Sequence, residues 1–532
     1  MNNARIEPDP QPAPTAAVGA RNSARPQWST FAILAILLLA IVARLLPGPR
    51  TIDDAYITFR YTRNLITGVG FVYNPGEHVL GTTTPLYTLL LAGLALTTGS
   101  RDFPMLALAI NALIGTISVG MLYLLGKRFS GHWIPAAAAA LLWAVAPYSV
   151  TFAIGGMETD LTITLLLAAA YAHLSNRPRA LAILSALALL ARPDTAILLG
   201  LLWLDLTLAR RRIPWREGLI ALIILAPWLI WSTLYFGSPL THSIAAKSVT
   251  YRLPSEASFI RLLQHYATPL FEHKVLPPIG VFILLIIYCT LCASGSIKTL
   301  RRDKRAWPLV VYPFAYFAVF AVANPLLFRW YLSPPLPFYL LLIITGVWMM
   351  AGDAAKLIAR YINHRSLRSA QPAILTLFAV AALILTLNAW DLHPDHGPNR
   401  PAPEMAWFKL ELLYRQAADV VLARAAPGDT LCAGDIGMLG YRTDMHILDT
   451  IGLVTPESTR YYPVDPAFHA MTYAIPADLV LALDPDYITI LEVYGRLGLL
   501  PDPQFQAQYR LLKKIETDIY SSDGMLIFER AK

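Results

Sequence analysis

A polytopic α-helical membrane protein followed by a smaller α/β domain is the fold class that this sequence predicts. Of its 532 residues, 56% are hydrophobic and only 15% are charged, whereas soluble proteins carry about 25% charged residues. Apolar runs long enough to cross a bilayer recur between Ser29 and Leu387. From Trp390 onward the chain is polar, with short apolar segments typical of strands.

The net charge of +8 does not predict a nucleic-acid partner. The cations lie in short loops between apolar runs, where Lys and Arg set the orientation of membrane helices. The three cysteines, Cys289, Cys292 and Cys432, form no disulfide framework. We therefore expect membrane lipids, and no nucleic acid, among the partners of this protein.

The apolar pattern divides the chain into three parts. Residues 1–28 predict a disordered cytoplasmic tail, 29–389 a transmembrane domain with a large first outer loop at 47–102, and 390–532 an extracytoplasmic α/β domain. About eleven transmembrane segments are expected. In chain order they are 29–46, 103–125, 133–154, 161–174, 180–191, 195–208, 219–236, a segment ending at Lys298, 308–323, 332–350 and 374–387.

Orientation follows from the basic residues. Arg5, Arg21 and Arg25 precede the first segment, so the N-terminus is expected in the cytoplasm. The apolar segment 84–98 is short, and we interpret it as a helix at the outer interface. Every dense basic cluster then falls on the cytoplasmic side: 127–128, 177–179, 210–212, 298–305 and 356–368. If 84–98 crosses, every later assignment reverses.

Two adjacent aspartates, Asp53 and Asp54, directly follow the first transmembrane segment. Carboxylates beside a bilayer are costly unless they serve a site, although these could also begin a solvated loop and cap the following helix. Other charged residues expected on the same outer face are Glu158, Asp160, Arg192, Asp194, Lys247 and Arg329.

These residue types suit the transfer of a sugar from a lipid phosphate to a hydroxyl group. Asp53 or Asp54 would take the acceptor proton as a general base. Lys247, Arg329 and Arg192 would stabilise the phosphate as its negative charge develops. Candidates for stacking against sugar or prenyl groups are Tyr56, Trp330 and Tyr331.

Each candidate also has a structural alternative. Arg192 could pair with Asp194 to end a helix, and the acidic pair at 158 and 160 could be a favourable charged helix start. The segment RWY at 329–331 could be an interfacial anchor. Lys247 could be one more solvated lysine in the polar loop 237–277.

A divalent cation bridging Asp53 and Asp54 is an open hypothesis, since carboxylate oxygens suit such ions. No further His or carboxylate cluster at ligand spacing supports it. No metal ligands are therefore predicted.

The C-terminal part has a pattern of alternating helices and strands. A helix is expected at 404–424, and strands at 430–433, 446–449 and 487–491. A hairpin turn at 522–524 is expected between 516–520 and 525–528. The segment GDIG at 434–437 weakly suggests a nucleotide-binding turn, but a structural turn suits it better.

The stretch DDAYITFRYTRNLITGVGFVYNPGEHVLGTTTPLYTLLLA at 53–92 resembles the first outer loop of the GT-C membrane glycosyltransferases. It is similar in particular to the bacterial branch that includes the mycobacterial terminal arabinofuranosyltransferase. Further similar segments are GMET at 156–159, RPD at 192–194, HSIAAK at 242–247, RWYLSP at 329–334, GDIG at 434–437 and LDTIGL at 448–453. His242 and Ser243 stand where the family pattern has Asn-Thr, so their local role differs.

The resemblance implies a GT-C fold in a bacterial plasma membrane, a polyprenyl-phosphate-linked sugar as donor, and inversion at the anomeric carbon. It implies a first-loop aspartate base, Asp53 or Asp54, and phosphate binding by Lys247 and Arg329. The acceptor would be a cell-envelope glycan, a lipid or a protein. The substrate-binding candidates together are Tyr56, Arg60, Glu158, Arg192, Asp194, Lys247, Arg329 and Tyr331.

Two other functions are compatible with parts of this pattern. A lipid-linked-sugar translocase without chemistry would favour inverted repeats and charges at mid-membrane, and neither is evident in the sequence. A membrane anchor that presents a binding domain accounts for the C-terminal part, but not for the charges of the outer loops.

Overall fold

The computed structural model of the protein describes residues 28–271, 276–361, 370–404 and 407–531. The predicted disordered tail lies outside these residues apart from Trp28. Residues 362–369, which contain part of the predicted basic cluster 356–368, also lie outside them. The described chain forms a helical region that ends at Leu387 and a mixed region that begins at Trp390.

Helices coincide with every predicted transmembrane segment. The helices of this region are α1 Trp28–Leu45, α2 Asp53–Ile66, α3 Pro85–Thr98, α4 Phe103–Ser130, α5 Trp133–Val145, α6 Pro147–Ile154, α7 Thr159–Leu174, α8 Pro178–Ala191, α9 Ala196–Arg210, α10 Trp215–Phe236, α11 His242–Thr250, α12 Ala257–Ala267, α13 Pro278–Arg302, α14 Trp307–Ala323, α15 Arg329–Leu332, α16 Leu336–Tyr361 and α17 Ala370–Leu387. The polar loop 237–277 therefore contains the two helices α11 and α12.

Seven of the described helices are long and apolar enough to cross a membrane, or eight if the bent pair α5–α6 is one span. The predicted count of eleven is not confirmed, because α7 and α8 are apolar but shorter, and α9, with 15 residues, is not among the helices that qualify as spans. The 45° bend between α5 and α6 falls at Ala146. Proline disfavours a helical conformation in the residue before it, and Pro147 follows this break.

The short helix α3 does not change ends of the bundle. Thr84, just before it, approaches Thr58 of α2 with 3.5 Å between their hydroxyl oxygens. After it, Phe103 at the start of α4 stacks on Phe59 of α2 at 6.1 Å between ring centroids. The chain thus enters and leaves α3 beside α2, as expected of a helix that does not cross.

The C-terminal region is a five-stranded mixed sheet with helices and a separate hairpin. Its helices are α18 Trp407–Leu422, α19 Gly437–Thr443, α20 Ala477–Leu483, α21 Glu492–Gly495 and α22 Pro503–Gln508. Its strands are β1 Trp390–His393, β2 Arg400–Pro403, β3 Thr430–Ala433, β4 His446–Asp449, β5 Tyr487–Leu491, β6 Tyr509–Ile515 and β7 Met525–Arg530. The sheet order is β4-β3-β5-β7-β6, with β3 parallel to β4 and β5, and β7 antiparallel to β5 and β6.

The three predicted strands β3, β4 and β5 are confirmed, but the predicted hairpin is wrong. The strand that pairs with β7 is β6, and the whole segment 516–524 connects them. The edge strand β6 carries the cations Arg510, Lys513 and Lys514. Charged edge strands resist aggregation, and these charges hide the strand from a search for apolar alternation.

Side chains of the first loop join the two regions. The Asn74 amide donates to the Ile447 carbonyl at 2.9 Å and accepts from the Ile447 N–H at 3.1 Å. Arg63 donates to the Tyr441 carbonyl at 3.0 Å. The C-terminal region therefore rests on α2 and on the segment that follows it.

Candidate active site

A cavity of about 890 Å³ opens where the helical bundle, the first loop and the C-terminal region meet. It brings together predicted site residues from distant parts of the sequence: Asp54, Glu158, Arg192, Asp194, Lys247 and Tyr331. Trp330, predicted as a stacking residue, also lines it. These residues, which the sequence assigns to one face of the membrane, are therefore neighbours in the fold.

Asp53 and Asp54 have different surroundings. The Asp53 carboxylate accepts the backbone N–H groups of Gly437 at 2.9 Å and of Met438 at 2.7 Å. Asp54 instead lines the cavity. Burial raises the pKa of Asp54 above the ordinary aspartate value, and the ammonium group of Lys247 opposes that rise. Asp54 is thus the aspartate that a substrate can reach.

The pKa of Asp53 is raised well above its ordinary value, chiefly by burial and next by the charge of Asp435. The N–H groups of Gly437 and Met438 work in the opposite direction. Asp435 belongs to the segment 434–437, which forms a structural turn against α2. A side chain on Gly437 would collide with the Asp53 backbone and carboxylate, so glycine is required by this close approach.

A buried network surrounds Arg192. Its guanidinium donates two hydrogen bonds to Asp194, of 3.0 and 2.8 Å, and one of its nitrogens lies 3.5 Å from a Glu158 oxygen. The guanidinium also stacks over the Tyr331 ring at 4.9 Å. The structural alternative for Arg192, pairing with Asp194, is therefore realised within the cavity wall. Because two carboxylates already surround it, Arg192 has little charge left for a ligand.

Asp160 turns away from the cavity. One of its oxygens lies 3.4 Å from the Arg44 guanidinium, which donates at 2.6 Å to Ser149. Arg44 is fully buried and Asp160 nearly so. The acidic pair at the start of α7 therefore divides, with Glu158 on the cavity and Asp160 inside the bundle.

Lys247 lies on α11 and points its ammonium group at the cavity. Its nitrogen is 4.8 Å from the centre of the Phe328 ring. The ammonium group also influences the charge of Asp54 across the cavity. The alternative of a merely solvated lysine is therefore disfavoured by the position of this side chain.

The start of α11 is docked on the first loop by the substituted pair His242-Ser243. The His242 backbone N–H and the Thr241 hydroxyl both donate to the Leu80 carbonyl at 2.9 Å. The Ser243 hydroxyl donates to the Gly81 carbonyl. These contacts fix the helix, and with it Lys247, against the loop that carries the aspartates.

Several cavity residues were not identified from the sequence. Arg252 is an exposed cation that lines the cavity five residues after Lys247. The hydroxyl groups of Thr82 and Thr84 lie 3.2 Å apart, with Thr58 beside them. In the sequence, these cavity residues were marked only by one more cation in a polar loop, Arg252, and by the run TTT at 82–84. Hydroxyl groups both donate and accept hydrogen bonds, as recognition of sugar hydroxyls requires.

Two residues of the first-loop motif that were predicted to bind substrate lie outside the cavity lining, so that role stays a prediction. The Tyr56 hydroxyl donates to Glu411 at 3.2 Å. Arg60 donates to the carbonyls of Gly440 and Met445 at 2.9 and 2.8 Å. Both side chains fasten the C-terminal region to α2. Positions 53, 56 and 60 lie on one face of this helix, whereas 54, 57 and 58 line the cavity.

Arg329 also lies outside the cavity lining. It is half-buried, and its chain neighbours Trp330 and Tyr331 line the cavity. The contact of Arg329 with the donor phosphate stays a prediction.

Within the described ranges, no group of three or more His, Cys, Asp or Glu side chains is placed to hold a metal ion. The hypothesis of a cation between Asp53 and Asp54 is disfavoured, because both Asp53 oxygens accept backbone N–H groups. A divalent cation bound together with substrate stays a prediction.

Two family models match parts of the chain. Residues 82–231 match the family described as dolichyl-phosphate-mannose-protein mannosyltransferase, and residues 406–528 match a domain of unknown function. The terminal β-(1→2)-arabinofuranosyltransferase of Mycobacterium tuberculosis is 31% identical over 192 residues, which are 33% of this chain and 30% of that protein. The chain thus matches less than a third of the length of this curated relative.

Solved structures resemble nearly the whole chain. ArnT from Cupriavidus metallidurans bound to undecaprenyl phosphate superposes with a TM-score of 0.57 and 13% identity, covering 95% of this chain and 98% of ArnT. The oligosaccharyltransferase AglB from Archaeoglobus fulgidus, in complex with an inhibitory peptide and a dolichol-phosphate, superposes with a TM-score of 0.51 and 14% identity. This match covers 91% of this chain and 72% of AglB. At these identities the similarity shows the fold alone. Together with the matched segments, it confirms the resemblance drawn from the first loop: the chain has the GT-C fold and is similar in sequence to GT-C glycosyltransferases.

Proposed function

We propose that this protein is an inverting glycosyltransferase that moves a sugar from a polyprenyl-phosphate donor to a hydroxyl acceptor at the outer face of a bacterial plasma membrane. The observation that carries the proposal is one cavity that holds a reachable carboxylate, Asp54, together with the cations Lys247 and Arg252. A carboxylate suits the acceptor proton, and cations suit a departing phosphate.

In the proposed reaction, Asp54 takes the proton of the acceptor hydroxyl as its oxygen attacks the anomeric carbon. The bond between that carbon and the phosphate oxygen breaks, and its electron pair leaves with the phosphate. Attack opposite the leaving group inverts the anomeric configuration. The products are a glycoside, a polyprenyl phosphate, and a proton that Asp54 then returns to water.

We assign the phosphate to Lys247 and Arg252. Both line the cavity, and Lys247 is close enough to Asp54 to influence its charge. Arg192 is engaged by Asp194 and Glu158, so it shapes the cavity wall. This assignment replaces Arg329 by Arg252 as the partner of Lys247.

The cavity lining includes apolar residues that suit a prenyl chain: Ile244, Val249, Leu253, Phe320, Ala323 and Leu326. A prenyl chain against these residues would keep the isoprenoid in apolar surroundings while the phosphate meets the cations. The ArnT structure contains undecaprenyl phosphate and the AglB structure a dolichol-phosphate, which supports a polyprenyl-phosphate donor here.

The sugar and the acceptor are the finer part of the proposal. The curated relative is named for arabinofuranosyl transfer, so we propose a pentosyl donor as the first to test, before hexosyl donors. Cell-envelope glycans, lipids and proteins are the acceptor classes to compare.

The test uses the full chain in lipid nanodiscs with radiolabelled polyprenyl-phosphate sugars, and it measures release of the free lipid phosphate. Asp54→Asn should lower turnover about 10²–10⁴-fold, the usual contribution of a general base, while donor binding persists. Asp53→Asn, at the neighbouring aspartate, is the matched control. It should mainly lower the melting temperature of the protein.

Full turnover by Asp54→Asn would contradict the assignment of the base. Donor binding without turnover in the wild type, across pentosyl and hexosyl donors and all three acceptor classes, would contradict the transferase. That second result would favour a lipid-linked-sugar translocase.

A further inference from the structure

Aromatic rings form a continuous series from the cavity onto the C-terminal region. Trp330, which lines the cavity, stacks on Phe328 at 4.7 Å with ring planes 5° apart. Phe328 meets Tyr251 at 6.2 Å, and Tyr251 meets Tyr473 at 5.9 Å. Tyr473 meets Tyr494 at 5.1 Å. The ring contacts therefore run from the cavity wall to Tyr494 in the C-terminal region.

Asp435 lies beside the outer end of this series. Its carboxylate accepts a hydrogen bond from the Tyr414 hydroxyl. Burial first, and then the charge of Asp435, raises the pKa of both Tyr494 and Tyr520. Burial raises the pKa of Asp435 to about 6, with the charge of Asp54 adding to the rise. The Tyr473 hydroxyl lies 3.2 Å from the position that a Cβ on Gly434 would take, so the next residue, Asp435, stands beside the ring series, and its charge interacts with Tyr494, Tyr520 and Asp54.

Tyr520 is presented on an unusual backbone. It lies in the connection between β6 and β7, is 39% exposed, and has φ of 56°, followed by Ser521 with φ of 60°. Such left-handed conformations outside glycine persist only where surrounding contacts impose them, and they concentrate at ligand sites. Here Arg496 donates to the Ser521 carbonyl at 2.8 Å, and the Ser521 N–H donates to the Asp518 carbonyl at 2.9 Å.

We propose that Asp435, Tyr494 and Tyr520 form an acceptor subsite and that the acceptor is a saccharide. This inference rests on the proposed function and names its acceptor class. The C–H faces of sugar rings pack on aromatic rings, and sugar hydroxyls bond to carboxylate oxygens and to phenol O–H groups. A saccharide held here directs a hydroxyl towards Asp54.

The position of the subsite disfavours the other acceptor classes. A lipid acceptor would be expected to contact apolar lining residues of the cavity such as Ile244, Val249 and Leu253, whereas the subsite belongs to the polar C-terminal region. A protein acceptor would be expected to use backbone pairing or an apolar groove. Tyrosine side chains gathered around one carboxylate match a polyhydroxylated ring.

The experiment measures binding of oligosaccharides to the full chain in nanodiscs by saturation-transfer NMR. The probes are a pentofuranose oligosaccharide, a hexopyranose oligosaccharide and a serine-containing peptide. We expect one saccharide to bind, and Asp435→Asn and Tyr520→Asn to weaken its binding about tenfold or more, as loss of a binding anchor commonly does. Asparagine tolerates the left-handed backbone at position 520, so that variant removes the ring and keeps the fold. Leu511→Ala, at a 52% exposed position on β6, is the control.

The companion measurement is the acceptor KM in the lipid-phosphate assay. Tyr520→Asn should raise the KM for the saccharide and leave the KM for the donor unchanged. A merely structural role would lower the melting temperature without changing the acceptor KM, and would overturn the subsite. Binding of the peptide instead of any saccharide, or binding unchanged in both variants, would also overturn it.

Failure of the subsite and failure of the transferase are distinguishable. Release of lipid phosphate by the wild type with unchanged saccharide binding in the variants removes the subsite and keeps the transferase. Saccharide binding that depends on Asp435 and Tyr520, without release of lipid phosphate from any donor, keeps the subsite and removes the transferase.

Discussion

Two adjacent aspartates have separate tasks because they begin a helix. Neighbouring residues of an α-helix point about 100° apart, so Asp53 faces the C-terminal region while Asp54 faces the cavity. The sequence predicts that this pair matters, since carboxylates beside a bilayer are costly. It does not separate their roles, because the N–H group that Asp53 binds at Gly437 is 384 residues away.

The acidic limb of the pH dependence of transfer should move when Lys247 is replaced. Transfer needs ionised Asp54, so the rate rises with pH through the pKa of that group. Lys247→Gln removes the cation that lowers this pKa, and the acidic limb should move to higher pH.

The measurement is kcat/KM for the donor across pH at saturating acceptor, with Leu511→Ala as control. No shift in Lys247→Gln, or a shift to lower pH, would exclude Asp54 as the titrating base.

At the scale of elements, the contact between α2 and α19 leaves no room for a side chain at Gly437. Gly437→Ala should destabilise the protein by about 1–3 kcal/mol, the usual cost of overpacking. It should also reduce turnover, because the displaced helix carries Asp54. Melting temperature and lipid-phosphate release in nanodiscs test both effects.

Gly93→Ala is the matched control for this prediction. Gly93 lies on α3 with open space where a Cβ would be, so alanine there should leave the melting temperature unchanged or slightly raised. An equal effect of both substitutions would contradict the close approach at Gly437.

The ion pair between Arg44 and Asp160 joins α1 to α7 inside the bundle. Arg44→Met leaves a buried carboxylate unpaired and should cost about 3–5 kcal/mol of stability. Arg44→Met with Asp160→Leu should recover most of that loss. Denaturant unfolding in detergent measures both variants.

Lys298→Gln, which breaks the exposed pair with Asp353, is the comparison and should cost less than about 1 kcal/mol. A double variant at Arg44 and Asp160 that is no more stable than Arg44→Met would show that the buried charge is not the cause.

Most elements follow from local pattern. Apolar runs predict the long helices, and apolar cores predict β3, β4 and β5. The predictions that failed have local causes as well. Strand β6 is a charged edge strand, and the bend at Pro147 interrupts a run that is predominantly apolar. The helices α11 and α12 lie in a loop whose polarity concealed them, although Thr241 caps α11 by accepting the Ser243 N–H at 3.3 Å.

At the scale of the molecule, charge divides between the two ends of the bundle. Lys127, Arg128 and Arg302 line a separate cavity at one end, while Asp54, Lys247 and the C-terminal region lie at the other. By the positive-inside rule, we expect the basic end to face the cytoplasm. The C-terminal region and the cavity should then be extracytoplasmic.

Cysteine labelling tests this orientation in a background without the three native cysteines. A membrane-impermeant maleimide should label Phe468→Cys in intact cells, since Phe468 is exposed on the C-terminal region. It should label Arg212→Cys, at an exposed position in the turn after α9, only after permeabilisation. The reverse pattern would invert the topology.

The order of the predicted membrane segments was enough to assign the charged site residues to one face of the membrane. It could not show which of them meet, because that depends on packing between distant segments. Two arginines illustrate this limit. Arg60, within the first-loop motif, binds the C-terminal region to α2, whereas Arg252, in a loop without a recognisable motif, lines the cavity.

The contact of Asp53 with the C-terminal region has a consequence for evolution and engineering. A chimaera that takes this region from a relative must also bring two N–H groups to the same place, or the helix with the proposed base is left with an unpaired buried carboxylate. If the C-terminal region also determines which acceptor binds, then acceptor specificity and the position of the base depend on the same contact. New acceptor specificities would then arise by substitutions within the aromatic series rather than by exchange of the whole region.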